Sequence, residues 1–381
     1  MSKYSVNISY NMLPNFLVDH KTLYERIAEI DPVVYAGTRN YLQGSVTYLS
    51  PFITHGIIST ERVANVVLEK YNSGDAEKFL TELAWREYFH RVWQVNGSDI
   101  FGDIQRTQEP VCSDQLPVAI AEACTGIETI DECLVALKNT GYMHNHARMW
   151  VAALCCNTSR THWYQPARWL YYHLLDGDLA SNTLSWQWVA GTFSHRKYIA
   201  NQENLNRFSG KEQYGTFLDT SYEVLANCAV PSVLEACTDI TLSNEFPQST
   251  VDPLRQSDEP VFLYSIWNLD PQWQRTQKGT RILWIDPDTH REFALSPLRW
   301  QFIKHWADAI DGLGIFVGSR DQLFPKGVDH IKLLTREYPA TAHWPGERDA
   351  RDWCYENPTG PIKSFSNFWK HTRKSSSIFN Q

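Results

Sequence analysis

The chain has 381 residues, 43% of them apolar, with 15 tryptophans and a formal net charge of −8. That length suggests two domains with ample core, and the acidic balance disfavours generic adhesion to nucleic acid without excluding a local basic groove. No basic segment leads into an apolar run at the start, and no stretch approaches the ~20 apolar residues of a membrane helix, so neither a leader nor a membrane partner is expected and the location is expected to be cytoplasmic.

The first part, residues 1–225, has helical periodicity. EKFLTELAWREYFHRVW spaces apolar residues as one helix face does. ETIDECLVALKNTGYMHNHARMW predicts a helix to Lys138, a break at Asn139–Gly141 and a second helix. PARWLYYHLLDGD continues the pattern. Over residues 226–259 periodicity fades and prolines and polar residues accumulate, as in a linker. Residues 260–381 change character. VFLYSIW and RILWID resemble buried strands, SPLRWQFIKHWADAI a helix and GIFVGS another strand, a small α/β unit with some parallel pairing. No G-x-G-x-x-G follows these strands, which removes support for a dinucleotide site of Rossmann type. The last residues, RKSSSIFNQ, are expected to be a loose tail.

The eight cysteines lack a framework of short loops and fit a reducing compartment. No C-x-x-C pair occurs, so buried free thiols are expected and a metal site is not.

HLLDGDLASNTLSWQW raises the chemical question. If Asp178 caps a helix, then Asp178, Asn182 and Trp186 share a face at i, i+4 and i+8. A capped helix with one polar residue and a core tryptophan accounts for the same pattern. In NHARMW, Asn145, Arg148 and Met149 share a face, and a buried Arg148 needs an anion, for which Asp176 is the candidate. In ELAWREYF, Glu82 and Arg86 form an i,i+4 pair beside Trp85, either as a surface ion pair or as part of a site. Three helices carrying ionisable groups among aromatics is how a planar polar ligand is held in a helical domain.

WREYF, GYMHNHARMW and LLDGDLASNTLSWQW resemble the flavin-binding domain of the photolyase/cryptochrome family over about residues 20 to 215, with SVTYLSPFITHGIIS resembling its phosphate-contacting segment. The resemblance implies a mostly α fold: an all-helical FAD-binding domain of photolyase type, followed here by a small α/β domain. VFLYSIWNL, RILWIDPD, SPLRWQFI, HWPGERDARDW and FSNFW resemble a shortened antenna domain placed after the flavin domain, whose pigment is not specified. It implies FAD contacts from Tyr35, Thr47, Leu49, Ser50, Arg86, Asn145, Arg148, Asp176, Asp178 and Asn182. Asp176 would pair with Arg148 beside the isoalloxazine, Asp178 would bond its polar edge, and Asn182 would face N5. Trp186 and Trp163 match the first two members of the family's electron-transfer chain, with core packing as the alternative for each. The third member falls near Pro110, where no tryptophan stands, leaving Trp150 and Trp169 as substitutes or a shorter chain.

The same resemblance implies a deoxyribodipyrimidine photo-lyase, a light-driven lyase that splits cyclobutane pyrimidine dimers in DNA by electron transfer from reduced flavin. Trp85 matches the stacking wall for a flipped dimer, Glu82 the carboxyl group on its bases, and Met149 the methionine of cyclobutane-dimer enzymes. These three and Asn182 are the expected catalytic set. His146 stands where many such enzymes have a DNA-touching arginine, and Tyr142 replaces a tryptophan, which weakens duplex binding and favours single-stranded DNA. His195, Arg196, Lys197, Arg207 and Lys211 form a basic cluster that follows a DNA backbone or is a solvated loop. Trp85, His146, Arg196, Lys197 and Arg207 are the expected DNA contacts. The alternative function is a cryptochrome-like blue-light photosensor that binds FAD without repair.

Overall fold

The computed structural model describes residues 14–328, 331–356 and 364–375. The chain divides into two compact units. One comprises Val34–Val46 and Val95–Leu242, and the other Phe16–Val33, Thr47–Gln94 and the described residues from Ser243 onward.

The first unit is built from the helices Glu128–Thr140, Asn145–Ala153, Tyr164–His173, Leu179–Ala190 and Gln202–Ser209. Side chains cap some of these helix starts: Asp178 accepts from the Ser181 N–H and Asn201 from the Asn204 N–H. The expected break falls at Gly141, whose φ of +71 ends the first helix. A side chain there would also collide with Leu175, whose Cγ lies 2.6 Å from an added Cβ. Trp150, Trp163, Trp169 and Trp186 lie in one buried cluster with Leu134, Leu137 and Leu170, each such leucine contributing about 1.5–3 kcal/mol by leaving water. The unit is not all-helical as expected. Strand β1 (Leu116–Pro117) pairs antiparallel with β2 (Cys237–Thr238), a ladder too short to leave a periodicity in the sequence.

The second unit holds a five-stranded parallel sheet of β3 (Val261–Tyr264), β4 (Thr280–Ile285), β5 (Leu313–Val317), β6 (Leu333–Arg336) and β7 (Glu347–Asp349), ordered β5-β4-β3-β6-β7. β3 is buried at every residue, which is why it is continuously apolar. Ser296 caps the Pro297–Asp308 helix, with proline at its first position. The expected strands and helix of this region are present. The sequence reading had not identified β6 and β7, both short and partly polar.

The division differs from the linear one expected at residues 226 and 260. The linker range is built in: β2 belongs to the helical unit, while Thr250 donates to the Ile315 carbonyl (2.8 Å) and Ser249 Oγ accepts from Val317 N–H (2.9 Å) along the β5 edge. Most of the Glu77–Asn96 helix packs with the sheet unit. The reason is Glu87, buried in that helix, which accepts hydrogen bonds from Thr60 Oγ1 (2.6 Å), Cys354 N–H (2.7 Å) and Tyr355 N–H (3.0 Å). The Phe365–Ser375 helix takes the start of the expected tail, and residues 376–381 of it lie outside the described residues.

Burial, only partly offset by these hydrogen bonds, pushes the Glu87 carboxyl up to about 7. Its folded value lies above the ordinary 4.5, so its contribution is fully present below that ordinary value and is lost as the pH rises through about 7. Glu87→Gln is expected to flatten this part of the stability–pH profile in urea unfolding. Glu87→Ala is expected to cost ~1–3 kcal/mol for each N–H left unpaired.

All eight thiols are free. Cys155, Cys156 and Cys354 are buried, as expected, but Cys112 and Cys124 are exposed. Among the described residues no helix is long and apolar enough to cross a membrane, and no group of three or more His, Cys, Asp or Glu residues could hold a metal ion.

Candidate functional site

The Asp176–Gly177–Asp178 turn joins the Tyr164–His173 and Leu179–Ala190 helices and orders the helical unit's polar residues. Asp178 Oδ1 accepts the Ser181 N–H at 2.7 Å, so it is the expected cap, and its buried carboxylate suits the helix's positive end. Asp176 receives Arg148 Nη2 on both oxygens, at 2.9 and 2.8 Å. Arg148 Nε donates to the Met143 carbonyl at 2.9 Å, which fixes the guanidinium plane. Asn182, one turn after the cap, donates Nδ2 to the Ala167 carbonyl at 3.0 Å. That bond settles which end of the carboxamide is nitrogen, and Oδ1 accepts no hydrogen bond from the described residues. On the Asn145–Ala153 helix Asn145 is exposed and Met149 half-buried, and Tyr35 is half-buried in the Pro32–Thr38 helix.

The Ala167–Asn182 bond marks matching levels of this helical hairpin. One turn further from the connection stand Trp163 and Trp186, both buried. Trp163 donates its indole N–H to Asp103 Oδ1 at 2.7 Å, a partner the sequence reading did not name. Trp150 donates to Asn204 Oδ1 at 3.0 Å, and Trp169 packs edge-on against His173 at 4.8 Å.

The remaining expected residues lie in the other unit. Thr47 Oγ1 accepts the Leu49 N–H at 3.4 Å, Leu49 is buried, and Ser50 begins the Ser50–Thr54 helix. Arg86 donates to Thr54 Oγ1 at 2.5 Å, and Glu82 pairs with Lys78 at 2.8 Å. Trp85 stacks on Phe365 of the Phe365–Ser375 helix, with ring centroids 3.6 Å apart and planes 8° from parallel.

The expected DNA contacts differ among themselves. His146 uses both ring nitrogens within the helical unit, Nδ1 against the Asn40 carbonyl (2.8 Å) and Nε2 against the Tyr198 hydroxyl (3.4 Å). Burial pushes its pKa down, so its imidazole is held neutral, which suits a phosphate poorly. Lys211 is paired with Glu128 and Glu132, which removes it from the basic cluster. Arg196, Lys197 and Arg207 are exposed. Lys197 Nζ also donates to the Glu109 carbonyl.

Residues 79–256 match the family model for the FAD binding domain of DNA photolyase. Over these residues, a little under half of the chain, it is similar to the photolyase/cryptochrome family. A deoxyribodipyrimidine photo-lyase of Streptomyces griseus is 34% identical over 160 residues, 42% of this chain and 35% of the relative. Cryptochrome DASH of Synechocystis is 28% identical over 166 residues, 41% of this chain and 34% of the relative. The chain spans about a third of the length of the curated relatives it matches. A crystal structure of a Synechocystis cryptochrome superposes with a TM-score of 0.45 at 24% identity, over 49% of this chain and 42% of that one.

The cofactor of a photolyase-type domain is FAD, and the helical unit's donor set suits a flavin. Arg148 supplies a cation held in place by Asp176, Asp178 a buried carboxylate, and Asn182 an acceptor oxygen with no donor among the described residues. A flavin ring presents both N–H donors and carbonyl acceptors along its edge, so a mixed set of this kind is required.

Proposed function

We propose that the chain is a light-driven, FAD-dependent photolyase that splits cyclobutane pyrimidine dimers in DNA. The observation that carries this reading is Asn182, whose Nδ2 is tied to Ala167 and whose Oδ1 accepts no bond from the described residues, together with the half-buried Arg148 held by the buried Asp176. Bound FAD, reduced and excited by blue light, supplies the electron that opens the cyclobutane ring. The chain's own residues do the rest. Arg148, oriented by Asp176, and the carboxylate of Asp178 hold the ring's polar edge. Asn182 offers its carboxamide oxygen to N5, and a proton held there would be stabilised by that acceptor. Tyr35 and Asn145, in the same unit, are further FAD contacts in this reading. Trp85 supplies an aromatic wall, Glu82 an acceptor for the flipped bases, and Met149 a polarisable contact.

Arg196, Lys197 and Arg207 provide phosphate contacts. With His146 held neutral and Lys211 paired to acids, few cations remain for a duplex, whose binding depends on phosphate neutralisation. This supports a preference for single-stranded DNA. The same two observations favour the second reading, a cryptochrome-like photosensor that binds FAD and repairs nothing.

The test is blue-light repair of an oligonucleotide carrying one thymine dimer, with chemically reduced protein and single- and double-stranded substrates in parallel. Light-dependent loss of the dimer, faster on the single strand, is expected. Glu82→Ala is expected to slow repair by about tenfold or more, the loss of one charge-assisted hydrogen bond. FAD bound and reduced with no turnover on either substrate moves the assignment to the photosensor.

A further inference from the structure

We propose that Asp103 is the proton acceptor for an oxidised Trp163, which makes Trp163 the end of a shortened electron route. This rests on the reading above in one respect, that Trp186 and Trp163 deliver electrons toward bound FAD.

The observation is a carboxylate built around one indole. Asp103 has a side chain only 16% exposed, and its Oδ1 takes the Trp163 indole N–H at 2.7 Å and faces His162 Nε2 at 3.3 Å. Its Oδ2 accepts the Gln108 N–H at 2.8 Å. Gln108 in turn is buried, and its Oε1 accepts the Trp163 backbone N–H at 3.0 Å. Gln108 Nε2 donates to the Thr161 carbonyl at 2.8 Å. The segment from Asp103 to Gln108 thus clamps Trp163 at both its ring and its backbone. Ile104 N–H donates to Gln187 Oε1 at 3.0 Å and Gln105 N–H to the Thr192 carbonyl at 3.1 Å, fixing the segment to the end of the Trp186 helix.

This segment runs up to Pro110, near which the resemblance calls for the third tryptophan. Where an oxidisable ring is called for, the segment instead brings a carboxylate to the second one. A neutral amide or a backbone carbonyl would satisfy a buried indole N–H equally well. A carboxylate does two things those acceptors cannot. It stabilises positive charge on the ring by direct Coulomb attraction in a poorly solvated place, and it can keep the proton.

The step balances as follows. With FAD bound, Trp186 would give one electron to the excited, oxidised flavin, which would leave the Trp186 radical cation. Trp163 gives one electron to Trp186, restoring it. The Trp163 Nε1–H bond breaks, and its proton passes to Oδ1 of Asp103. The products are a neutral indolyl radical and a neutral carboxylic acid; the three side chains lose one negative charge between them, which is the electron passed to the flavin. An external thiol later returns the electron, and Asp103 returns the proton. Because the radical has lost its charge and its proton, return of the electron to it is slowed without a third ring.

Transient absorption on the FAD-loaded full chain tests this, since the tryptophan radical cation and the neutral radical absorb differently. The wild type is expected to show conversion to the neutral radical, slowed when the solvent is deuterium oxide. Asp103→Asn keeps a hydrogen-bond acceptor and a similar shape but cannot hold the proton. It is expected to leave the radical as a cation and to shorten its life by about 10- to 100-fold, the weight of one charge-assisted bond. Asp103→Glu is expected to restore the neutral radical. A wild-type radical that remains a cation throughout its life overturns the proposal without any variant. So does a neutral radical with the same lifetime in Asp103→Asn. If Trp163→Phe leaves the radical signal unchanged, the route itself is wrong and the proposal falls with it. Repair by chemically reduced protein does not use this route, so its presence or absence reports separately on the photolyase assignment.

Discussion

Arg148→Ala is expected to purify without bound flavin, with FAD affinity reduced by about 100-fold or more and a fold weakened by ~3–5 kcal/mol. The two losses have different origins, and the geometry allows them to be separated. Asp176 has a side chain 4% exposed and takes both of its Arg148 bonds from one nitrogen. Removing the cation leaves a buried carboxylate without its countercharge, and that penalty falls on folding whether or not FAD binds. Replacing the whole pair, Arg148→Met with Asp176→Leu, removes the orphan charge and is expected to recover most of the stability, because a buried ion pair exchanged for apolar residues of similar size is often neutral. FAD binding should stay lost in the double variant, since the cation at the flavin edge is still missing. Thermal unfolding and flavin absorbance on the same samples measure both. A stable double variant that retains FAD at wild-type affinity would show that the pair only braces the helices.

How much of this was legible in the sequence depends on whether the deciding contact is local. The Asp178 cap and the Asn182 and Trp186 positions on its helix follow from spacing alone, because helical phase is set within a turn or two. The Gly141 break is equally local, a left-handed residue between two periodic segments. The Arg148–Asp176 pair spans 28 residues and was still reachable, because a buried guanidinium demands an anion and few candidates stood nearby in the pattern. Glu87 was not reachable. Its partners Cys354 and Tyr355 are donors through their backbones, and a backbone N–H leaves no mark on residue identity. The assignment of the Glu77–Asn96 helix went wrong for the same reason, since long-range backbone contacts decide where that helix packs. Asp103 was missed differently. A lone aspartate between Gly102 and Ile104 has no motif, and only the fold brings Trp163 to it. Lys211 was read as part of a surface basic cluster because the two glutamates that pair with it lie far off in sequence.

Trp85→Ala is the second variant with a large expected effect, and its outcome turns on the ring that already lies against the indole. Stacking of a base on an aromatic face contributes ~1–3 kcal/mol by alanine substitution, so the variant is expected to weaken binding of a dimer-bearing single strand by about 5- to 150-fold. One face of Trp85 is occupied by Phe365, 3.6 Å away and nearly parallel, while Tyr88 and Phe89 pack at 5.7 and 5.5 Å. A flipped base therefore has at most the opposite face, unless Phe365 gives way. Phe365→Ala distinguishes the two. If the dimer uses the opposite face, removing Phe365 takes away a brace worth about 0.5–1.5 kcal/mol of ring stacking, and binding weakens modestly. If the dimer competes with Phe365 for the same face, removing it opens that face and binding tightens. Trp85→Phe, which retains a stacking surface, is expected to keep most of the affinity in either case. Equal affinity of wild type and Trp85→Ala for the dimer-bearing strand, measured by fluorescence anisotropy at low salt, would remove Trp85 from the dimer pocket and leave its stack with Phe365 as packing between the Glu77–Asn96 and Phe365–Ser375 helices.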